Sequence, residues 1–199
     1  MKKIVLMAAV LALSASLASA YSLNGRKWFS SSDATFRFNN SNGATCCLSA
    51  SAQSSAIQSG LNAWAILSNG GSTNLSGAKR DGVNVVSWGK LGGTTLGVTN
   101  YIATDSSQSQ VCGNNLIYRF QEVDVRFNNA FNWQTSSTCT NGFDLSGVSV
   151  HEFGHAVGLG HSSVPGATMY PSVAACDFSV SSLANDDKAG YSAIYSGCR

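Results

Sequence analysis

The sequence predicts a single domain of the α+β class. Strand-like and helix-like segments fall into blocks: a strand and a helix come first, several strands follow, and helices occupy the C-terminal part. The 199 residues suit one domain, and the chain has only 2 Pro and no linker-like segment. An apolar fraction of 44% with a net charge of +2 excludes a disordered chain.

Residues 1–20 have the pattern of a secretory signal. Two lysines precede an apolar run, which ends in the A-x-A cleavage site Ala18-Ser19-Ala20. The run is too short for a comfortable membrane span, so an uncleaved anchor is the weaker interpretation. We therefore expect cleavage before Tyr21 and a secreted domain at 21–199, extracellular or periplasmic, with no membrane attachment and no latency propeptide.

The mature chain has no charge bias. Cleavage removes Lys2 and Lys3, which leaves equal numbers of basic and acidic side chains. No basic stripe is present, so nucleic-acid binding has no electrostatic support.

Six cysteines follow the predicted leader, an even number that indicates disulfides in an exported chain. They are Cys46, Cys47, Cys112, Cys139, Cys176 and Cys198. The spacing leaves the pairing open. Cys112 and Cys139 flank a predicted strand and are the easiest to join, and a bridge from Cys46 or Cys47 to Cys198 would tie down the C-terminus. Metal ligation by cysteine is the weaker alternative, because no C-x₂-C pair exists.

Four segments carry strand patterns. Residues 34–39 and 118–127 alternate apolar and polar side chains, 83–88 is nearly continuous in apolar residues, and 96–103 is the remaining strand.

Three helices are predicted. Apolar residues at spacings of three and four indicate a helix over 51–68, which Asn69-Gly70-Gly71 would end. Asp144 is a suitable N-cap for a helix over 145–157, and a last helix is expected over 182–195.

All three histidines lie in one window of eleven residues. His151 and His155 stand at positions i and i+4 of the predicted helix, where two imidazoles can bind one metal ion. Gly158 can adopt the positive φ that ends the helix, and the returning chain can present His161 as a third ligand. Glu152 is rotated by about 100° from His151 and would lie beside the ion.

These residue types suit zinc and hydrolysis. Three neutral imidazoles favour Zn²⁺ and leave a fourth position for water, whose pKa zinc lowers to about 7. Glu152 could accept a proton from that water and pass it to a leaving amine, which is peptide hydrolysis without a covalent intermediate. A chance HExxH sequence with structural histidines is the alternative, and the third histidine and Gly158 in register argue against it.

The window is the signature of the metzincin metallopeptidases, and the chain resembles the matrixins among them, in a compact bacterial secreted form. Phe143-Asp144-Leu145, Ser162, a Met-turn-like segment at 167–171 and the acidic pair Asp186-Asp187 carry the resemblance. It implies a twisted, mostly parallel sheet of about five strands with an antiparallel edge strand. An active-site helix would lie below the sheet, and a small irregular C-terminal subdomain would end in a helix.

The resemblance also implies roles for individual residues. The three histidines would bind catalytic zinc, with Glu152 as general base, Met169 as the apolar floor under the metal and Gly158 at the turn. Asp186 and Asp187 would hold the Met-turn or the mature N-terminus, with a simple helix-dipole role as the alternative.

A substrate would occupy a cleft between the sheet and the active-site helix. The edge strand would pair with an extended peptide, and a pocket after the Met-turn would accept an apolar side chain just after the cleaved bond. Substrate contacts are expected from Leu96, Gly97, Val98, Pro171, Ser172 and Val173. We expect protein or peptide substrates and a monomeric enzyme.

One zinc per chain is expected, because no histidine remains for a second site. Ca²⁺ is a further candidate cofactor without a clear motif: Asp81 and Asp105 lie in loops, but no dense carboxylate loop is present.

Two other functions could use the same metal ligands. A secreted, zinc-containing binding module without peptidase activity would have no need of Glu152 as a base. A zinc hydrolase of non-peptide substrates would have no need of an edge strand for peptide binding.

Overall fold

We analysed a computed structural model that describes residues 20–77, 80–103, 108–136, 138–196 and 198. The predicted signal segment lies outside the described residues except for Ala20, as does Asp105. No helix in the described part of the chain is both long and apolar enough to span a bilayer.

The described residues form an α+β domain with a main sheet, a small two-stranded sheet and three α-helices. The strands are β1 (Arg26–Lys27), β2 (Thr35–Phe38), β3 (Ser68–Ser72), β4 (Asn84–Gly89), β5 (Gly97–Ala103), β6 (Ser109–Cys112), β7 (Asn115–Asn128), β8 (Trp133–Gln134) and β9 (Phe143–Asp144). The helices are α1 (Ala50–Asn62), α2 (Leu145–Ala156) and α3 (Asn185–Tyr195), with a 3₁₀ turn at Ser179–Ser181.

The long strand β7 organises the main sheet. Its C-terminal half pairs in parallel with β4 along one edge and antiparallel with β5 along the other, so that Thr99 of β5 lies opposite Val125. Beyond β4 the sheet continues through β2 to β3, all in parallel. The short strands β1 and β6 pair with the N-terminal half of β7. The sheet is therefore mostly parallel, and β5 pairs with a single strand among the described residues.

Aromatic side chains join the sheet to the helices below it. The ring of Phe36 in β2 lies edge-on to Phe153 of α2 at 5.4 Å and to Trp28 at 6.4 Å. Helices α1 and α2 approach closely where Gly60 faces Ser149. A β-carbon on Gly60 would overlap Ser149, so the lack of a side chain at this position permits the close approach. These contacts hold α2 at a fixed depth below the sheet, with one face turned toward β5.

The predicted first helix was too long. Helix α1 ends at Asn62, and the residues expected to close it instead form β3, which pairs with β2. The sequence of β3, Ser-Asn-Gly-Gly-Ser, has no strand-like side-chain pattern. Its strand conformation comes from backbone hydrogen bonds to the edge of β2. In the described part of the chain the main sheet therefore has seven strands rather than about five, because β3 and the short strands β1 and β6 add to the four segments with strand patterns.

The two disulfides favoured from the sequence were also wrong. The structure pairs Cys46 with Cys47, Cys112 with Cys198, and Cys139 with Cys176. The C-terminus returns beside β6 and forms a backbone bridge there, which brings the Cα atoms of Cys112 and Cys198 to 4.0 Å. The expectation that a disulfide ties down Cys198 holds, but its partner is Cys112.

Candidate active site

Helix α2 begins at a well-satisfied N-cap. The buried carboxylate of Asp144 accepts hydrogen bonds from the backbone N–H groups of Ser146 at 3.0 Å and Gly147 at 2.9 Å. These bonds satisfy donors that the first turn of a helix leaves without partners. The start of the helix is therefore fixed, and so is the face that its histidines present.

Three imidazoles converge beside α2. His151 and His155 lie one turn apart, with ring centroids 4.8 Å from each other, and His161 arrives from the segment after the helix. One ligand nitrogen from each ring lies within 4.8 Å of the other two, and Nε2 of His155 is 3.2 Å from Nε2 of His161. Ligands around a tetrahedral zinc lie about 3.3 Å apart, so this spacing suits such an ion.

Gly158 makes the turn that returns His161. Its φ of 110° is strained for residues with a side chain, and a β-carbon there would overlap the carbonyl oxygen of Arg26. The N-terminal segment supports the returning chain: Gly160 N–H donates to the Ser22 carbonyl at 2.8 Å, and the Ser22 hydroxyl donates to the His161 carbonyl at 2.7 Å.

The first two imidazoles are oriented by backbone carbonyls. Nδ1 of His151 donates to the Thr168 carbonyl at 2.7 Å, and Nδ1 of His155 donates to the Leu159 carbonyl at 2.8 Å. Because a carbonyl can only accept, each ring carries its proton on Nδ1 and presents Nε2 as a lone pair. Burial lowers the pKa of both imidazoles to about 4, so both are neutral at pH 7, as a metal ligand must be. The donor set therefore fits zinc, and among the described residues it is the one cluster of this kind.

The segment around Met169 is held by a buried carboxylate. Asp187 accepts backbone N–H bonds from Thr168 at 2.9 Å, Met169 at 3.0 Å and Ala184 at 2.8 Å. Met169 is buried against α2, where its sulfur lies so close to Gly154 that a β-carbon on this glycine would overlap it. Asp187 thus fixes the backbone whose carbonyl orients His151.

Asp186 has a separate set of partners. Its Oδ1 accepts from the backbone N–H groups of Ala20 at 3.0 Å and Tyr21 at 3.1 Å, and its Oδ2 accepts from the Ser162 hydroxyl at 2.7 Å. Asp186 therefore holds the segment at Ala20 and Tyr21, whereas Asp187 holds the backbone around Met169.

Glu152 lines the same cleft as the three histidines and contacts β5. Its side chain is buried, and burial raises its pKa to about 7, which the Thr99 hydroxyl partly opposes. That hydroxyl is 2.7 Å from Oε2 of Glu152 and 2.9 Å from its main-chain oxygen. Gly97 leaves the space for the carboxylate, since a β-carbon there would lie 2.7 Å from Oε1.

A cleft of about 570 Å³ opens between β5 and α2. The three histidines and Glu152 line it, as do all six residues expected to contact substrate. Leu96, Gly97 and Val98 belong to one wall, and the segment from Pro171 to Val173 belongs to another.

Comparison with known proteins decides the family. The family model described as "Peptidase_M10: Matrixin" matches residues 96–196, about half of the chain, from β5 through the histidines to the end of α3.

The chain belongs to the matrixin family.

Individual relatives match this matrixin over shorter stretches. It is 54% identical over 48 residues to matrix metalloproteinase-25 of Mus musculus, a match that covers 24% of this chain and 8% of the relative. It is 44% identical over 72 residues to matrix metalloproteinase-20 of Homo sapiens, covering 36% of this chain and 14% of the relative. Metalloendoproteinase 1 of Glycine max is 49% identical over 61 residues, covering 31% of this chain and 20% of the relative. The matched part is thus a fifth or less of each of these relatives.

Several residues that line the cleft of this matrixin were missed in the sequence. They are Thr94, Thr95, Thr99, Phe143, Gly147, Thr168, Tyr170 and Val180. Thr99 could have been found, because it follows Gly97 by two residues on a strand and so faces the same side. Val180 follows a long irregular segment, and no local pattern indicates that this segment returns to the cleft.

Proposed function

We propose that this matrixin is a secreted zinc metalloendopeptidase that cleaves peptide bonds in proteins, with zinc bound by His151, His155 and His161. The observation that carries the proposal is the convergence of three imidazoles beside a buried carboxylate at the wall of one cleft. Family membership supports the same chemistry.

Two of the three residues that would hold zinc have rings oriented by backbone carbonyls. The carbonyl oxygens of Thr168 and Leu159 fix the rings of His151 and His155, as such partners commonly do for metal ligands. When bound, zinc would supply Lewis-acid polarisation of a peptide carbonyl and an acidified water molecule. Met169 would form the apolar floor beneath it.

We assign the general-base role to Glu152. Thr99 occupies Oε2, which leaves Oε1 to accept a proton from the attacking water while the water oxygen bonds to the peptide carbonyl carbon. When the carbon–nitrogen bond breaks, Glu152 returns this proton to the leaving nitrogen. One water is consumed, and the products are a carboxylic acid and an amine, with Glu152 restored.

The walls of the cleft suit an extended peptide. Strand β5 pairs only with β7 among the described residues, so its outer edge can pair with a substrate backbone. Val148, Val173 and Val180 line the cleft near α2 and would receive an apolar side chain just after the cleaved bond. We infer protein or peptide substrates and a monomeric enzyme.

Export of the mature chain is the remaining part of the proposal. The leader at residues 1–20 would be removed before Tyr21, and three disulfides suit an oxidising compartment. Mass spectrometry of the secreted protein would test this, with an N-terminus at Tyr21 expected. A protein retained with its leader intact would contradict it.

Hydrolysis of casein by the chain from Tyr21, with its disulfides formed, tests the proposed activity. We expect cleavage that a strong zinc chelator abolishes and added zinc restores. Glu152→Gln should keep its zinc and lose about 100- to 10,000-fold in kcat/KM. Glu122→Gln is the matched control, because Glu122 is equally buried but lies outside the cleft, and it should stay active.

Two results would overturn the proposal. A zinc-loaded parent that cleaves neither casein nor a broad peptide library would indicate a binding module. A Glu152→Gln variant as active as the parent would remove Glu152 from the mechanism.

A further inference from the structure

The hydroxyl of Thr99 lies between two oxygen atoms of Glu152. Its Oγ1 is 2.7 Å from carboxylate Oε2 and 2.9 Å from the main-chain oxygen. This contact joins β5 to α2 at the position of the proposed base. The sequence interval between the two residues is large, at 53 positions, so the contact exists only in the folded protein.

Both ends of this contact are fixed by the fold. Thr99 pairs with Val125 in the register of β5 and β7, which sets the height of its side chain above α2. Glu152 lies within α2, and Asp144 caps the start of this helix. The residue after Glu152, Phe153, is fully buried. The hydroxyl of Thr99 thus connects a strand of the main sheet to a capped helix.

The two oxygen atoms of the Glu152 carboxylate have different surroundings. Gly97 stands two residues before Thr99 on the same face of β5, and its lack of a side chain leaves room for Oε1. Of the two carboxylate oxygens, the Thr99 hydroxyl hydrogen-bonds to Oε2, so a proton that arrives at Oε1 or leaves it does not break this bond. The hydroxyl can donate to Oε2 whether Oε1 carries a proton or not.

We propose that Thr99 is a positioning residue that holds the Glu152 carboxylate toward the histidines throughout the reaction. The inference rests on the proposed peptidase function, in which Glu152 transfers the proton. A glutamate side chain has several rotatable bonds, and a base displaced by about 1 Å can cost about 100-fold in rate. Thr99 restricts that freedom by holding Oε2 at a fixed point on the cleft wall.

Removal of the hydroxyl at constant shape is the first test. Thr99→Val should lower kcat about 10- to 100-fold and leave KM within about twofold, because valine keeps the shape of the cleft wall. Thr99→Ser keeps the hydroxyl and should restore most of the rate. Thr99→Ala is a second variant without the hydroxyl, in case the valine variant does not fold. Zinc content should match the parent, and thermal unfolding shows whether each variant is folded.

Thr35→Val is the matched control for a purely structural threonine. Thr35 also stands on a strand, and its hydroxyl contacts the Ser68 hydroxyl at 2.9 Å and the Ser32 carbonyl at 3.2 Å. None of these three residues lines the cleft. This variant should lose stability without a change in kcat.

A double-mutant cycle separates positioning from general support. In Glu152→Asp the shorter carboxylate no longer reaches Oγ1 of Thr99, so adding Thr99→Val should change kcat by less than about twofold. A structural role would give the same loss in both backgrounds. Crystal structures add a readout without turnover: Glu152 should occupy one rotamer in the parent and in Thr99→Ser, and more than one in Thr99→Val.

The outcomes separate this inference from the proposed function. If the parent is active and Thr99→Val keeps its kcat with a single Glu152 rotamer, the inference fails and the function stands. Equal losses in the two backgrounds of the cycle would also overturn it. If the parent is inactive, the function fails, and a single Glu152 rotamer in Thr99→Val overturns the positioning role as well.

Discussion

The carbonyl oxygen of Thr168 lies 2.7 Å from Nδ1 of His151. The backbone N–H of the same residue donates to Asp187, a carboxylate with no exposed surface. A buried acid on α3 is thus linked to the first of the three clustered imidazoles through a single residue, Thr168, of the segment around Met169. Support of this kind commonly tunes the affinity of a metal ligand.

Replacement of Asp187 should affect both folding and zinc binding. Asp187→Ala leaves two buried N–H donors and one partly buried N–H donor without partners, so the free energy of unfolding should fall by about 3 kcal/mol. Zinc affinity should fall about 10- to 100-fold, because the backbone that orients His151 loosens. Urea unfolding and competition with a chromogenic chelator would measure the two effects. Asp177→Ala, which loses contacts only with Ser179, is the control, and an equal effect there would contradict this role.

The absence of a side chain at position 97 should be essential for activity. In Gly97→Ala the new methyl group would meet Glu152 at 2.7–2.9 Å, and the carboxylate must move away from the cleft wall. We expect kcat to fall at least about tenfold with a small change in melting temperature. In Gly92→Ala the methyl group meets nothing within 4 Å, so peptide cleavage should stay at the parental rate. An active Gly97→Ala enzyme would show that Glu152 tolerates displacement.

Buried Asp124 should make stability depend on pH. Burial raises its pKa from 3.8 to about 6, helped by nearby Glu122 and Asp81 and opposed by the Val85 N–H bond and Arg126. Between pH 4 and 6 the unfolded chain loses this proton while the folded chain keeps it, so the contribution of Asp124 to stability falls as the pH rises. Below about pH 4 both states are protonated and the penalty is absent.

Asp124→Asn removes that titration and keeps an oxygen for the Val85 N–H. The free energy of unfolding at pH 7 should rise by about 1 to 2 kcal/mol, and the decline between pH 4 and 6 should become shallower. Urea unfolding at several pH values would measure both. An unchanged slope, or a variant less stable than the parent at pH 7, would show that the ionised carboxylate is well compensated in the folded state.

The disulfide between Cys112 and Cys198 should stabilise the C-terminal end of the chain. It closes a loop of 86 residues between β6 and the end of α3. Replacement of both cysteines by serine should lower the free energy of unfolding by about 4 kcal/mol. Peptide mapping should recover this pair together with Cys139–Cys176 and Cys46–Cys47. Recovery of a Cys112–Cys139 peptide would contradict the fold near β6.

Local patterns predicted the central elements well. Helix α2 was placed to within a residue, because Asp144 is a strong N-cap and Gly158 a strong stop. The nearly continuous apolar run at β4 and the alternation of apolar and polar residues at β7 also predicted strands in the right places. The spacing of the histidines indicated that they share one site, and the structure brings the rings together.

Features set by distant partners were not predictable. The Gly-rich β3 becomes a strand through backbone pairing with β2, and the return of Cys198 to β6 depends on the path of the whole C-terminal region. The polar face of β7 is a further example. Glu122 and Asp124 are buried there because their carboxylates accept hydrogen bonds from backbone N–H groups of the chain around β4. No pattern within β7 indicates these partners.

Anomalous diffraction at the zinc absorption edge, from crystals of the chain beginning at Tyr21, tests the central claim most directly. The account predicts one strong peak per chain, about 2.1 Å from Nε2 of His151, His155 and His161. No peak in zinc-soaked crystals, or a peak that one of these three imidazoles does not reach, would contradict it.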